Sequence, residues 1–424
     1  MAMRPWRTMC ATKNLIEDCY TSEKHMAQRV KVSGRSAHRT AGIVVLVSAL
    51  LLVLLVLAGN LDAPSPAVVA LQPTIVPATP TIRLTPTPPV ATNERLYIAT
   101  RNITGSTVRV LDGNGTNIYT VAGGRDLALS PDGTTLFVLH LAELSAHDAI
   151  SGAEQWRIPL RDALDSVLPE PSALLVAPHG RSVWVMIERQ INGNNSPPLV
   201  LRGIQAATGA QYDVEIALAD WQPQIAPFFS LGGSSIFVPT GGRSVVMRNV
   251  ADGRTEYTTI LPFEPASVLQ SPNVSTIFAL QHDEDGTFIH LLTRMSFRRR
   301  GAVPLVIAPG RRIMTPPIVA PNGQTLALRL RGPNGVVFSL PESLLIFDTA
   351  SMTTTATLQL DGELSALVFG LDSNSLYGVR PARDSISDQI IRYQLPTAAP
   401  RSIITLPNER VTRLVVGPKR PLGQ

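Results

Sequence analysis

Residues Leu127–His140 read LALSPDGTTLFVLH, and this stretch decides the predicted fold. An apolar run is followed by Ser-Pro-Asp-Gly and then by a second apolar run. Proline pre-sets the bend of a tight turn, and glycine supplies the positive φ that such a turn needs. The stretch therefore predicts two antiparallel strands joined by a short turn. Both strands are so apolar that they suit positions covered on both faces.

Degenerate copies of this strand–turn–strand unit recur along the chain. They begin at Leu174, Phe228, Val268, Pro317 and Ser365. Successive copies lie about 40–55 residues apart, which is the period of four-stranded propeller blades. Most copies are followed by two more strand-like runs joined by a turn, such as Glu143–Ile150 and Gln155–Leu160 after the first copy. The pattern predicts an all-β domain built of blades.

The two ends of the repeat region supply the parts of one further blade. Three strand-like runs, Leu96–Thr100, Thr107–Leu111 and Asn117–Val121, precede the first copy without an inner strand of their own. Val411–Pro418 has the character of an inner strand but nothing follows it. We therefore predict a seven-bladed β-propeller closed by pairing of the N- and C-terminal strands, which removes an aggregation-prone sheet edge. A pair of β-sandwiches or an open β array is the alternative.

The first copy also carries a resemblance to a known superfamily. The turn Ser130-Pro131-Asp132-Gly133 with Leu136–Val138 resembles the YVTN-type repeat of seven-bladed propellers and is similar to the repeats of TolB-like propellers. The Trp-Asp ending of WD40 repeats is absent, although the expected architecture is WD40-like. The resemblance covers about residues 95–418 and implies a propeller in a secreted or periplasm-facing setting. That superfamily includes lactonases, haem and quinoprotein enzymes and binding scaffolds, so the resemblance does not define the function.

Residues 41–59, AGIVVLVSALLLVLLVLAG, form an uncharged apolar stretch. As a helix with about 1.5 Å rise per residue it reaches roughly 28 Å, close to the hydrocarbon thickness of a bilayer. Basic residues crowd its N-terminal side, so we predict a single-pass protein of the cell membrane with residues 1–40 as a cytoplasmic tail. A cleaved signal peptide is the alternative. Its apolar run is usually about 7–15 residues, and Leu61-Asp62-Ala63 is a poor cleavage site.

Residues 60–92 form a Pro/Thr-rich linker between the apolar stretch and the predicted propeller, residues 93–424. Proline lacks a backbone donor and restricts φ, so an extended spacer is expected there.

The excess of basic over acidic residues lies before residue 93, outside the predicted propeller. Nine of the 37 Lys and Arg residues and four of the 32 Asp and Glu residues precede residue 93, which leaves the propeller neutral. The high pI therefore gives no basis for predicting nucleic-acid binding.

No motif in the sequence identifies a catalytic, metal-binding or cofactor-binding site. Cys10 and Cys19 precede the apolar stretch at a spacing that fits no zinc or redox motif. None of the propeller's five histidines has metal-ligand spacing; His179 is interpreted as a solvated turn residue, and His140 is the candidate for a channel site. Asp283–Gly286 lacks the alternating ligands of a calcium loop and predicts a hairpin turn. Neither a GxSxG elbow nor a phosphate-binding loop occurs.

Arg298, Arg299 and Arg300 form the one concentrated charge feature, with Arg311 and Arg312 further along the chain. The planar guanidinium fork suits carboxylate and phosphate, so these three residues are the candidate anion contact; a solvated rim loop is the alternative. The absence of catalytic motifs favours a membrane-tethered binding or scaffold module for a protein or glycan partner. The alternative is an extracytoplasmic enzyme, such as a lactonase-like hydrolase, with convergent Asp, Glu or His in the central channel.

Overall fold

The computed structural model describes residues 93–160, 165–167, 174–189, 199–218, 221, 225–272, 276–283, 286–293, 296–307, 311–332, 342–360, 362–381, 387–395, 397 and 399–420. All of them fall in one compact unit, residues 83–424. The predicted cytoplasmic tail, transmembrane helix and linker, residues 1–92, lie outside the described residues. Across the described ranges, no helix combines the length and the apolar character that a membrane crossing requires.

The described strands form seven antiparallel sheets, which confirms the predicted seven-bladed, all-β architecture. Blade 1 begins with β1 (Glu94–Asn102), β2 (Gly105–Asp112) and β3 (Asn117–Ala122). Blade 2 comprises β4 (Asp126–Leu129), β5 (Thr135–Leu139), β6 (Glu143–Asp148) and β7 (Glu154–Pro159). Blade 3 comprises β8 (Asp165–Val167), β9 (Leu174–Val176), β10 (Ser182–Arg189), β11 (Leu199–Gln205) and β12 (Gln211–Ala217). Blade 4 comprises β13 (Phe228–Phe229), β14 (Ser235–Pro239), β15 (Ser244–Asn249) and β16 (Thr255–Ile260).

Blade 5 comprises β17 (Ser267–Gln270), β18 (Thr276–Asp283), β19 (Gly286–Thr293) and β20 (Arg299–Pro304). Blade 6 comprises β21 (Arg312–Val319), β22 (Thr325–Arg331), β23 (Ser343–Asp348) and β24 (Thr353–Gln359). Blade 7 comprises β25 (Ala366–Phe369), β26 (Ser375–Arg380), β27 (Gln389–Gln394) and β28 (Ala399–Thr405). The last strand, β29 (Arg410–Pro418), returns to blade 1. In blade 3, both β8 and β9 pair with β10, so they share its inner edge.

The second and third strands of each blade are apolar on both faces because a neighbouring blade covers each face. Phe137 of β5 and Val185 of β10, both fully buried, belong to one apolar cluster between blades 2 and 3. Val138, next to Phe137 in the chain, packs on the opposite face against blade 1. This two-sided burial accounts for the near-continuous apolar runs that the sequence shows, since only alternate residues would be apolar in a half-exposed strand.

The first and last strands of the chain close the ring, as predicted. β29 pairs with β1 in antiparallel register, with Leu96 opposite Val416 and Ile98 opposite Leu414. Lys419 continues the pairing by donating its backbone N–H to the Asn93 carbonyl, with 2.8 Å between nitrogen and oxygen. Blade 1 therefore takes its innermost strand from the opposite end of the chain.

The antiparallel order gives the propeller two different faces. One face carries the connections between the first and second strands and between the third and fourth strands of each blade, and we call it the turn face. The loop face carries the connections between the second and third strands and those between successive blades. The predicted hairpin at Asp283–Gly286 is confirmed, because Asp283 pairs with Gly286 where β18 meets β19 on the loop face.

The turn face is held by residues in left-handed backbone conformation. Gly133, Gly180 and Gly233 occupy the same position in successive turns, with φ of 73°, 69° and 68°. A Cβ atom on Gly133 would lie 2.5 Å from Pro418 at the end of β29. Two features therefore require glycine at position 133: its positive φ angle and the close approach of the closing strand β29.

Candidate functional site

The first strands of the blades line the central channel, and they present mainly apolar side chains. Neighbouring first strands contact each other, for example β4 with β9 and β25 with β29. Partly exposed side chains on them include Ala128, Leu129, Leu175, Val176, Val268, Leu269, Ile318, Val319, Leu367, Val368 and Val415. Within the described ranges, no three or more His, Cys, Asp or Glu side chains lie close enough to hold a metal ion. The described channel lining is therefore mainly apolar and holds no such cluster.

His140 does not point to the channel. It follows β5, the second strand of blade 2, and its imidazole is buried in the interface with blade 1. Its Nε2 lies 2.8 Å from Ser145 Oγ, and the same Oγ lies 2.9 Å from His147 Nε2. His179, in contrast, is exposed at a turn on the turn face, as its sequence context predicts.

The His140–Ser145–His147 chain has a defined direction when both rings are neutral. The Gly152 carbonyl lies 3.2 Å from His147 Nδ1, so this nitrogen carries the proton and donates it. His147 Nε2 then accepts from the Ser145 hydroxyl, and Ser145 Oγ accepts from His140 Nε2–H. Burial lowers the pKa of both histidines, and the nearby Arg157 guanidinium lowers it further. Glu143 and the Gly123 backbone oppose the change at His140, and the Gly152 carbonyl and Glu154 oppose it at His147.

We expect this chain to make the protein less stable in mild acid. Because the folded-state pKa of both histidines lies below the ordinary value of 6.5, the unfolded chain binds more protons as the pH falls below that value. Stability is then complete above about pH 6.5 and declines toward the folded-state pKa, with a limiting slope of about 1.4 kcal/mol per pH unit for each histidine. Urea midpoints between pH 7.5 and 5 would measure the slope.

A double variant, His140→Gln with His147→Gln, provides the comparison for this pH dependence. Burial raises the pKa of Glu342, which gives the opposite slope, but that contribution is common to both proteins and cancels in the difference. The variant should show a flatter profile than the wild type between pH 6.5 and 5. Parallel profiles would show that the two histidines do not control acid stability.

The loop face carries every long connection of the propeller. These run between Pro159 and Leu174, Arg189 and Leu199, Ala217 and Phe228, Arg331 and Ser343, and Arg380 and Gln389. The described turns of the turn face are tight, such as Ser130–Gly133. Ligand contacts concentrate on long loops held by a rigid scaffold, so the loop face is the candidate binding face.

Two buried carboxylates anchor inter-blade connections on the loop face. Glu342 Oε2 accepts the backbone N–H of Leu364 at 2.9 Å, and Asp388 Oδ2 accepts that of Val411 at 2.8 Å. Glu342 and Asp388 occupy equivalent positions before the third strands of blades 6 and 7, and are 5% and 4% exposed. Each therefore fixes the path of the chain into the next blade, which is a structural role.

Four arginines lie on the loop face where blade 1 meets blade 2, and we call them the seam cluster: Arg101, Arg125, Arg410 and Arg413. Arg101 on β1 lies directly opposite Arg410 on β29 in the closing pair of strands. Arg413 contacts Asp126 of β4, with 3.8 Å between Nε and Oδ1. Arg101, Arg125 and Arg410 are exposed.

The position of Arg125 in the seam cluster is set by its backbone. Its N–H donates to the Leu139 carbonyl at 2.7 Å, and its carbonyl accepts from Thr412 Oγ1 at 3.4 Å. One oxygen of the nearby Glu409 carboxylate, Oε1, is paired with Arg109 Nη2 at 2.6 Å. Asp126 is the carboxylate that contacts a member of the cluster.

Exposed apolar side chains flank the seam cluster. Ile103, in the β1–β2 connection, is 93% exposed, and Leu141, in the β5–β6 connection, is 63% exposed. These connections belong to the adjacent blades 1 and 2, so both apolar tips lie on the loop face. Val306, 93% exposed, lies on the same face between blades 5 and 6.

Arg298–Arg300, the anion contact predicted from the sequence, lie on the other face. They form the end of the β19–β20 turn and the start of the outer strand β20, and all three are exposed. The preceding Phe297 has φ of 51° and is buried against Phe237, with 4.9 Å between ring centroids, which holds the turn. Arg311 lies at the loop-face end of blade 6, where it donates to Ser343 Oγ. The structure thus separates the two arginine groups of the sequence.

The seam cluster has no signature in the local sequence, because its members lie at positions 101, 125, 410 and 413. The one available signal was the predicted pairing of the first and last strands. That pairing brings Arg101 and Arg410 to the same end of blade 1, but only the register places them opposite each other.

Comparison with known proteins supports the fold. No family model and no curated protein matches the chain. Among solved structures, it is similar to a putative 6-phosphogluconolactonase from Bacteroides uniformis, with a TM-score of 0.53 and 12% identity, over 77% of this chain and 100% of that one. Weaker likenesses are to Kuenenia stuttgartiensis hydrazine synthase (TM-score 0.45, 17% identity, 63% and 76% covered) and to a eukaryotic initiation factor (0.44, 12%, 78% and 99%). At such identities the likeness shows the β-propeller fold alone.

Proposed function

We propose that the protein is a membrane-tethered binding module that engages a protein or glycan partner outside the cell through its loop face. The observation that carries the proposal is the difference between the two faces. The long connections lie on the loop face, whereas the described turns of the other face are tight. The most exposed apolar tips, Ile103, Leu141 and Val306, also lie on the loop face, although Leu231 and Leu371 are exposed on the turn face. A rigid ring with variable loops on one face is suited to binding.

The tether is proposed from the sequence. Residues 41–59 are long and apolar enough to span a bilayer, and the basic residues before them favour a cytoplasmic N-terminus. A proline-rich segment extends by about 3.1 Å per residue, so the thirty residues from Ala63 to Thr92 would hold the propeller up to about 90 Å from the bilayer. The partner would then be a component of the cell envelope or of the medium.

Blocking one face at a time tests this proposal. The propeller contains no cysteine, so after Cys10→Ser and Cys19→Ser a single cysteine can be placed on either face of the full-length protein. Ile103→Cys lies on the loop face, and Asn114→Cys, also exposed, lies on the turn face. Each variant is coupled to a polyethylene glycol maleimide of about 5 kDa and used to capture envelope fractions, with the uncoupled proteins as controls.

We expect the loop-face adduct to lose the partner and the turn-face adduct to retain it. Equal capture by both adducts would contradict a loop-face binding module.

The same Ile103→Cys protein tests the tether in intact cells. A membrane-impermeant maleimide should label Cys at position 103 in that variant but not the native Cys10 and Cys19 of the unmodified protein. Labelling of the native cysteines would contradict the proposed topology.

A further inference from the structure

We propose that the seam cluster is an oxyanion site, which binds a phosphate or carboxylate group carried by the partner. This inference rests on the proposed function and names the chemistry of its ligand. It differs from the contact predicted from the sequence, since Arg298–Arg300 lie on the turn face and the seam cluster lies on the loop face.

Arg101 and Arg410 form an unfavourable pair of like charges in the closing strands. Residues directly opposite in an antiparallel pair have their Cβ atoms about 4.5–5.5 Å apart on the same face of the sheet, and like charges at that distance are destabilising. In the part of the chain that the structure describes, neither arginine has a carboxylate partner. A bound anion between the two guanidinium groups would remove the repulsion.

Arg101 and Arg410 both lie on the face of their strands that is turned toward blade 2. Alternate residues of a strand share a face. Arg95 and Tyr97, on the same face of β1 as Arg101, contact the Ala149 carbonyl of blade 2 at 3.2 and 3.1 Å. Arg410 shares this face because it is opposite Arg101. Their side chains therefore point toward Arg125, which lies in the connection between the two blades.

Positive charge is in excess in the seam cluster. Among the described residues, the four guanidinium groups have Asp126 in contact with Arg413, while Glu409 is paired through Oε1 with Arg109, outside the cluster. The propeller as a whole is neutral, so this excess is local. Several guanidinium forks around one point offer charge-assisted hydrogen bonds to phosphate or carboxylate oxygens. The flanking apolar tips, Ile103 and Leu141, suit a group attached to a larger partner.

The site is also coupled to closure of the ring. Arg101 belongs to the first strand of the propeller and Arg410 to the last. An anion held between them binds only the closed ring, so it stabilises the folded state by mass action. At 100 times its Kd it should raise the Tm of a domain of this size by about 4 °C.

The test compares two triple variants of the full-length protein in detergent. The seam variant removes three charges from the loop face, by Arg101→Gln, Arg125→Gln and Arg410→Gln. The turn-face variant removes three charges from the turn face, by Arg298→Gln, Arg299→Gln and Arg300→Gln. Tm is measured with increasing inorganic phosphate or citrate against sodium chloride of equal ionic strength, which controls for screening. Without anion at low salt, the seam variant should have a Tm at or above that of the wild type, which shows that it folds.

We expect phosphate or citrate to raise the Tm of the wild type and of the turn-face variant by about 4 °C beyond the chloride control, and to leave the seam variant unchanged. Anisotropy with labelled polyphosphate and poly-L-glutamate distinguishes a phosphate from a carboxylate source. The polymer that binds should lose at least about tenfold in affinity in the seam variant, as expected when three charge-assisted contacts are removed.

Three outcomes would overturn the proposal: an equal Tm shift in the seam variant, loss of the shift in the turn-face variant, or no binding of either polymer by the wild type. Capture of the envelope partner separates this inference from the proposed function. If the seam variant captures the partner as well as the wild type does, the loop-face function stands and the oxyanion site is wrong. If blocking the loop face leaves capture unchanged, the proposed function is wrong.

Discussion

Removing the last twelve residues, 413–424, is expected to abolish the cooperative unfolding transition of the propeller. The deletion takes most of β29, including Leu414 and Val416, which pack against blade 7. Each such side chain contributes about 1.5–3 kcal/mol when fully buried. The deletion also exposes the backbone edge of β1 and opens the ring. Because domains of this kind are stable by only about 5–15 kcal/mol in total, most of the stability should be lost.

A circular permutant separates ring closure from the loss of particular residues. Lys419 and Asn93 are hydrogen-bonded, so a short turn can join them, and new termini can be placed in the exposed β15–β16 turn between Ala251 and Asp252. Both proteins derive from the compact unit, residues 83–424, and the permutant omits residues 83–92 and 420–424. Calorimetry should show a sharp transition for the permutant and none for the truncated protein. A truncated protein as heat-resistant as its parent would disprove the closed ring.

Glu94→Ala is expected to destabilise the propeller by about 2–4 kcal/mol, because it leaves one buried donor and one half-buried donor without an acceptor. Glu94 Oε1 accepts the backbone N–H of Leu371 at 2.5 Å, and its Oε2 accepts the hydroxyl of Tyr377 at 2.7 Å. Both partners belong to blade 7, whereas Glu94 begins blade 1. The carboxylate, 5% exposed, therefore joins the first strand to the last complete blade.

A double-mutant cycle with Tyr377→Phe tests the role of Glu94. In the wild type, Tyr377→Phe should cost about 1 kcal/mol in urea unfolding, and in the Glu94→Ala background it should cost nothing, since the phenol has already lost its acceptor. Glu363→Ala is the matched control. That carboxylate is 54% exposed and pairs with Arg331 at the surface, so its loss should cost less than about 1 kcal/mol. Additive effects of the Glu94 and Tyr377 substitutions on the free energy of unfolding would contradict a stabilising hydrogen bond between these two side chains.

Arginine runs and arginine clusters differ in how far the sequence reveals them. Arg298–Arg300 are visible because they are adjacent in the chain, but they lie on an outer strand of the turn face. The seam cluster, which the loop face does present, joins residues about 300 positions apart through backbone pairing. The hydrogen-bonded chain His140–Ser145–His147 could be predicted from the sequence only in part. Ser145 and His147 alternate along one strand, so their common face was predictable, whereas the burial of that face against blade 1 was not.

Local sequence by itself determined the number of blades and the ends that combine in the closing blade. Each blade consists of strands that follow one another in the chain, so its apolar runs and its turn residues report directly on its structure. Tertiary structure alone decided which side chains meet between blades, including Arg101 with Arg410 and Glu94 with Tyr377. These contacts depend on strand register and on closure of the ring, and a shift of one residue in register would turn every side chain of a strand to its other face.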